Sequence, residues 1–158
     1  MHVVRIYRLA INQDELKPET NMRTRAKICG ITRCQDIQAV VESGADAIGL
    51  VFYPPSPRSV TVEQAAELAS HIPAYVQLVG LFVNASLEQI QATLQAVPLD
   101  ILQFHGDESP EQCQAIAKAT GRRWYKAIQV KADMDIAAVV KSYHACGASA
   151  MLLDAWHP

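Results

Sequence analysis

From Arg25 onward the chain alternates short, nearly uniform apolar runs with longer stretches in which apolar positions recur every three or four residues. The short runs predict strands over Ala26–Ile31, Ala47–Phe52, Gln77–Val83, Ile101–His105, Trp124–Val130 and Ala150–Ala155. The periodic stretches predict helices over Cys34–Ser43, Val62–Ile72, Leu87–Ala96, Pro110–Thr120 and Met134–Cys146. Thr32, Thr61, Ser86, Ser109 and Asp133 stand at or near the helix starts, where a side-chain oxygen can accept an otherwise unpaired backbone N–H. Gly44, Gly121 and Gly147 follow three of the helix ends, the place of a left-handed cap. Strands that alternate with helices and are apolar on both faces imply a parallel sheet under helical cover. The fold class is therefore α/β, either an open doubly wound sheet or a TIM (β/α)8 barrel. No G-x-G-x-x-G follows the first strand, which disfavours the dinucleotide-binding form of the open sheet. Eight βα units need ~200–250 residues. A barrel is accordingly expected to be incomplete here, with about six strands and five helices and two further βα units beyond Pro158.

Composition narrows the partners. Of 158 residues half are hydrophobic, 19% are charged and the net charge is -2, with no Lys/Arg stripe for a phosphate backbone and no apolar run of membrane-spanning length. A small-molecule substrate is thus expected, with no nucleic acid and no membrane, and nothing in the pattern fixes an oligomeric state. Cys29, Cys34, Cys113 and Cys146 form no CxxC pair and have no histidine at zinc-ligand spacing, so neither a disulfide framework nor a metal site is indicated. Four such cysteines fit a reducing cytoplasmic setting. In residues 1–21, a short strand pattern from His2 to Ile11 is interrupted by Arg5 and Arg8, and Asn12–Asn21 is polar, without the apolar core of a signal peptide. They read as an extension of unknown role, with Met22 as the functional beginning and 22–158 as a partial barrel domain. An extra edge strand is the alternative.

Cys29 closes the first strand just before Gly30, and Asp154 comes at the end of the last. Because side chains alternate along a strand, Lys27 shares a face with Cys29, Gln103 with His105, and Leu152 with Asp154. Strand C-termini converge at one mouth of a parallel barrel, so Cys29, Gln103, His105 and Asp154 are candidates to surround one ligand. Singly, each has an ordinary reading: a buried thiol, a loop-capping histidine, a helix-capping aspartate. Together a thiol and a carboxyl at strand ends suggest a proton-transfer pair. Lys27 either brings positive charge to the thiol or caps the opposite mouth. In the loop after the second strand, Pro54, Pro55 and Pro57 fix the backbone and stiffen the presentation of Arg58, whose guanidinium suits a carboxylate; a solvated arginine beside a rigid turn is the alternative. A thiol hydrolase built on Cys29, Asp154 and either His105 or His157 is a rival that requires a histidine within ~3.2 Å of the sulfur.

Five segments resemble one family in order and spacing: Lys27–Thr32, Gly49–Val60, Gly80–Asn84, Leu102–Glu108 and Leu152–Ala155 are similar to phosphoribosylanthranilate isomerase. The resemblance implies a (β/α)8 barrel of tryptophan biosynthesis that performs an Amadori rearrangement of N-(5-phosphoribosyl)anthranilate without a cofactor. It also implies Cys29 as general base, Asp154 as general acid, Arg58 as the ligand of the anthranilate carboxylate, and Gln103 and His105 as residues that position the substrate. As the acid, Asp154 is expected to be kept protonated by desolvation or a negative neighbour. The family's phosphate-gripping loops follow strands seven and eight, which are expected beyond Pro158. The edges of strands Ala26–Ile31 and Ala150–Ala155 are then expected to be unpaired and the chain to be a poor catalyst by itself, which leaves an inactive phosphosugar-binding or structural fragment as the alternative.

Overall fold

The computed structural model of the chain describes residues 2–5 and 24–155. In chain order the elements are β1 (His2–Arg5), β2 (Ala26–Cys29), α1 (Cys34–Glu42), β3 (Ala47–Phe52), α2 (Val62–Ser70), β4 (Gln77–Phe82), α3 (Leu87–Ala96), β5 (Ile101–Phe104), α4 (Pro110–Thr120), β6 (Arg123–Val130), α5 (Ile136–Ala145) and β7 (Ala150–Ala155). The strands form one sheet in sequential order. β2 to β7 are all parallel, with a helix in each of the five connections, the part-barrel that is one of the two arrangements the pattern admits and the one the family resemblance implies.

Alternation along the strands makes two packed layers. Ile48, Leu50, Leu102 and Phe104 face the helices and pack with Ile37, Val40, Leu68, Ile90 and Cys113. Ala47, Val79, Tyr125, Ala127 and Leu152 line the opposite, interior face. Burial on both sides is why these strands lack the apolar–polar alternation of a half-exposed sheet.

Three helices begin with the same device. Thr61, Ser86 and Ser109 each accept from the N–H three residues on, and Gln64, Gln89 and Gln112 reach back to the cap N–H. Such a reciprocal cap satisfies two backbone donors and is worth about 1 kcal/mol when the cap oxygen is removed. Gly44, Gly121 and Gly147 have φ of 79°, 66° and 91°, the left-handed conformation expected after their helices.

Three expectations are corrected in detail. α1 starts after Arg33 rather than Thr32, and Arg33 bonds Asp36 through both Nε and Nη2, at 2.8 and 2.7 Å, instead of capping the helix. The cap of α5 is Asp135, accepting from Ala138 N at 3.0 Å, because Asp133 is taken up in the turn closed by Met134 N to Lys131 O. The edge of β2 is not bare: His2–Arg5 pairs with it antiparallel, His2 opposite Cys29 and Arg5 opposite Ala26, so the edge-strand alternative describes residues 2–5. Residues 6–23, which hold the rest of the expected extension and the Met22 start, lie outside the described residues.

Candidate active site

Cys29 is the last residue of β2, buried on the interior face against Val51 and Leu81. Its register partner on β3 is Gly49. A Cβ at Gly49 would stand 2.7 Å from Cys29 Sγ and 3.0 Å from Lys27 Nζ. The missing side chain is what lets thiol and ammonium share this space, and it puts them within about 6 Å of each other, close enough for charges to interact. Lys27 is therefore not at an open far mouth: its side chain is 1% exposed and Nζ donates to Gln103 Oε1 at 3.0 Å. Gly49→Ala should destabilise the fold by about 1–3 kcal/mol through overpacking and displace the thiol. A urea midpoint equal to that of the parent would refute the close packing.

Gln103 on β5 is 2% exposed. Its Oε1 also accepts from Tyr125 OH at 2.7 Å, and its Nε2 lies 3.5 Å from His105 Nδ1. His105 Nε2 in turn lies 3.5 Å from Asp154 Oδ2. One continuous line thus runs Lys27, Gln103, His105, Asp154 across the interior face. Asp154 does not have the desolvated setting expected of it: its side chain is 46% exposed and its neighbour is an imidazole. Burial lowers the His105 pKa from the ordinary 6.5; Asp154 acts against this, while Lys126 and Lys27 add to it. A lowered histidine favours the folded state above its unfolded value, and this advantage is lost as the pH falls through the folded value. Urea midpoints should therefore drop below about pH 6.5 in the parent and drop less in His105→Gln; identical curves would contradict the assignment.

Arg58 folds back over Gly30, where φ is 83° and a Cβ would be 2.6 Å from Arg58 Cδ. Its Nη1 donates to the carbonyl of Cys29 at 3.1 Å. That bond uses one of five N–H donors and holds the guanidinium beside Cys29, while Arg58 as a whole stays exposed to solvent. The rival thiol hydrolase finds no support in His105, whose partners are Gln103 and Asp154; His157 lies outside the described residues.

A second polar cluster escaped the sequence reading. Glu108 and Lys126 are 5% and 4% exposed and pair at 2.8 Å. Glu108 also accepts from Asn84 N at 2.7 Å and Gly106 N at 2.9 Å, Lys126 Nζ donates to Gly106 O as well, and Tyr143 OH on α5 donates to Glu108 O at 2.7 Å. This cluster ties the loops after β4 and β5 to β6 and α5, directly behind His105. The visible signal was a lysine inside the apolar run Trp124–Ile128, since a lysine is almost never buried without a partner. A cleft of about 480 Å³ between α1 and the end of α2, lined by Cys34, Ile37, Val41, His71 and Pro73 among others, lies in the helical layer and includes none of these groups.

Parallel βα units that bring a thiol and a carboxyl to the ends of β2 and β7, with a guanidinium anchored beside the thiol, have the arrangement in which a barrel-type fold keeps its site. The sequence profile of N-(5'-phosphoribosyl)anthranilate (PRA) isomerase matches residues 26–157, and the chain belongs to that family. It is 68% identical over 137 residues to the N-(5'-phosphoribosyl)anthranilate isomerase of Acinetobacter calcoaceticus, covering 87% of this chain and 64% of that protein. The crystal structure of phosphoribosyl anthranilate isomerase from Thermotoga maritima superposes with a TM-score of 0.75 at 38% identity, covering 84% of this chain and 62% of that one. A structure of the isomerase in complex with reduced 1-(o-carboxyphenylamino)-1-deoxyribulose 5-phosphate is 40% identical with a TM-score of 0.68, covering 73% of this chain and 58% of that one. The chain thus spans a little under two thirds of the length of the relatives it matches.

Proposed function

We propose that this chain carries the acid and base of an isomerase that converts N-(5-phosphoribosyl)anthranilate to 1-(2-carboxyphenylamino)-1-deoxyribulose 5-phosphate in tryptophan biosynthesis. The observation that carries the reading is the placement of Cys29 and Asp154 at the ends of β2 and β7 on one face of the sheet, joined through His105, Gln103 and Lys27. Asp154, as acid, gives its proton to the furanose ring oxygen. The C1–O bond breaks, and the anthranilate nitrogen lone pair forms a protonated Schiff base at C1. The Cys29 thiolate then removes the C2 proton, and the C–H electrons neutralise the iminium to give an enolamine. That enolamine tautomerises to the ketone, so the substrate gains one proton and loses one. One acid and one base suffice for each step, so the reading requires no cofactor.

The relatives' names and the product-like ligand of the solved complex support this substrate class. A cytoplasmic location accords with the four free cysteines, and among the described residues no helix is long and apolar enough to cross a membrane. In this reading Arg58 takes the anthranilate carboxylate. Arg58→Ala should weaken binding of analogues that carry that carboxylate by about 1.5–3 kcal/mol, the range for a bond to a charged group, and leave an analogue without it almost unaffected. Equal losses for both by calorimetry would assign Arg58 to holding its loop. The function itself is tested by growth without tryptophan of a bacterial strain lacking its own isomerase. The chain, extended to the length of its relatives, should restore growth, and the same chain with Asp154→Asn should not; growth in both or in neither would reject the reading.

A further inference from the structure

Gln103 has the chemistry of a hub rather than of a substrate contact. Two donors meet its Oε1: the Lys27 ammonium, which has no acceptor capacity, and the Tyr125 hydroxyl, which burial pushes well above the ordinary phenol range and so keeps protonated. The atom between them must be the amide oxygen, since an amide NH2 there would face an ammonium donor. The amide nitrogen is thereby directed at His105, where it approaches Nδ1 at 3.5 Å. An N–H donor aimed at Nδ1 requires that ring nitrogen to be the unprotonated one. The single proton of a neutral imidazole then resides on Nε2, which faces Asp154 Oδ2 at 3.5 Å. Both outer contacts are long, as contacts of this kind commonly are before a ligand closes the site.

We propose that Lys27, Tyr125 and Gln103 form a buried positioning chain that fixes His105 as its Nε2–H tautomer, which holds Asp154 through Oδ2 and leaves Oδ1 as the atom that carries the transferable proton. The inference rests on the reading of Asp154 as the acid for its catalytic meaning, though not for its geometry. It moves Gln103 and His105 from substrate contacts to positioning residues. Burial, with the Lys126 ammonium on β6 and the Lys27 ammonium on β2, outweighs Asp154 on β7 and lowers the imidazole from its ordinary 6.5, which leaves it neutral near pH 7, as a single fixed tautomer requires.

The test is nitrogen-15 magnetic resonance of the histidine-labelled chain, with the His105 signals assigned by their loss in His105→Asn. The parent should show a protonated Nε2 and an unprotonated Nδ1 at pH 7; a protonated Nδ1, or averaged signals from a mixture, would overturn the proposal. Gln103→Glu keeps an acceptor for Lys27 and Tyr125 but turns an oxygen toward Nδ1, so the proton should move to Nδ1 or the ring become an imidazolium. An unchanged Nε2–H tautomer in that variant would equally overturn it, and if the variant does not fold, the parent spectrum decides alone. In the chain extended to the length of its relatives, Gln103→Glu should lower kcat at least ~10-fold with KM nearly unchanged, because misplacing a catalytic group costs rate rather than affinity. A rise in KM at constant kcat would return Gln103 to the role of substrate contact. The spectra need no substrate: an inactive enzyme with the Nε2–H tautomer would reject the isomerase reading and keep the positioning chain, and an active enzyme with the Nδ1–H tautomer would do the reverse.

Discussion

Cys29→Ser should lower turnover at least ~10²-fold, because a hydroxyl is far less acidic than a thiol and supplies almost no conjugate base near neutral pH. Serine is the informative replacement at this place. Cys29 is buried against Val51 and Leu81 with its sulfur over Gly49, and a smaller hydroxyl fits that space without moving the strand. Arg58 is anchored by the Cys29 carbonyl, a backbone atom that the substitution leaves in place. Binding of a product analogue should therefore change little while kcat collapses, the pattern of an interaction used only in the transition state. Turnover within a few-fold of the parent would remove Cys29 from the role of base.

The largest effect on stability is expected at the buried ion pair. Glu108→Ala leaves the Lys126 ammonium, among the described residues, with the Gly106 carbonyl as its one partner and strips the Asn84 and Gly106 N–H groups of their Glu108 acceptor. Breaking a buried pair from one side costs about 3–5 kcal/mol, a large part of the ~5–15 kcal/mol that holds a typical domain together. Replacing both partners, Glu108→Leu with Lys126→Met, should recover much of that loss, since a well-packed apolar pair avoids desolvating two charges. Turnover should not recover with it, because the Glu108 bonds to Asn84 N and Gly106 N would still be missing, leaving the Asp107 N to Asn84 Oδ1 bond to tie the His105–Ser109 loop to the loop after β4. Urea denaturation of the single and double variants measures this; a single variant as stable as the parent would contradict the buried pair.

The strand cores were legible because a parallel strand buried on both faces leaves a compact apolar run, as in Ala47–Phe52. Their ends were not, because Ile31, Val83 and His105 are as apolar or as site-like as the residues before them. What stops the ladders is backbone geometry at Gly30 and Asn84, with φ of 83° and 51°. The pairing of β1 with β2 was a matter of long-range register, which the two arginines in the segment obscured. At the site, face-sharing put Cys29, Gln103 and Asp154 on the interior side of β2, β5 and β7, with His105 one residue past the end of β5. It could not show that Gln103 is engaged by a lysine 76 positions away and by Tyr125, because those contacts depend on how the strands are staggered. The exposure of Asp154 was equally out of reach, being set by what surrounds the end of β7 and not by the strand's own sequence.

If Cys29 and Asp154 act together as base and acid on N-(5-phosphoribosyl)anthranilate, conversion of that substrate depends on both. The decisive measurement is the anthranilate fluorescence of that substrate with the chain extended to the length of its relatives, alongside Asp154→Asn. The parent should convert it steadily to the ketose product and the variant should be at least ~10²-fold slower, because its amide keeps the shape of the carboxyl but has no acidic proton to transfer. No conversion by the parent, or equal rates from both, would contradict that pairing of base and acid.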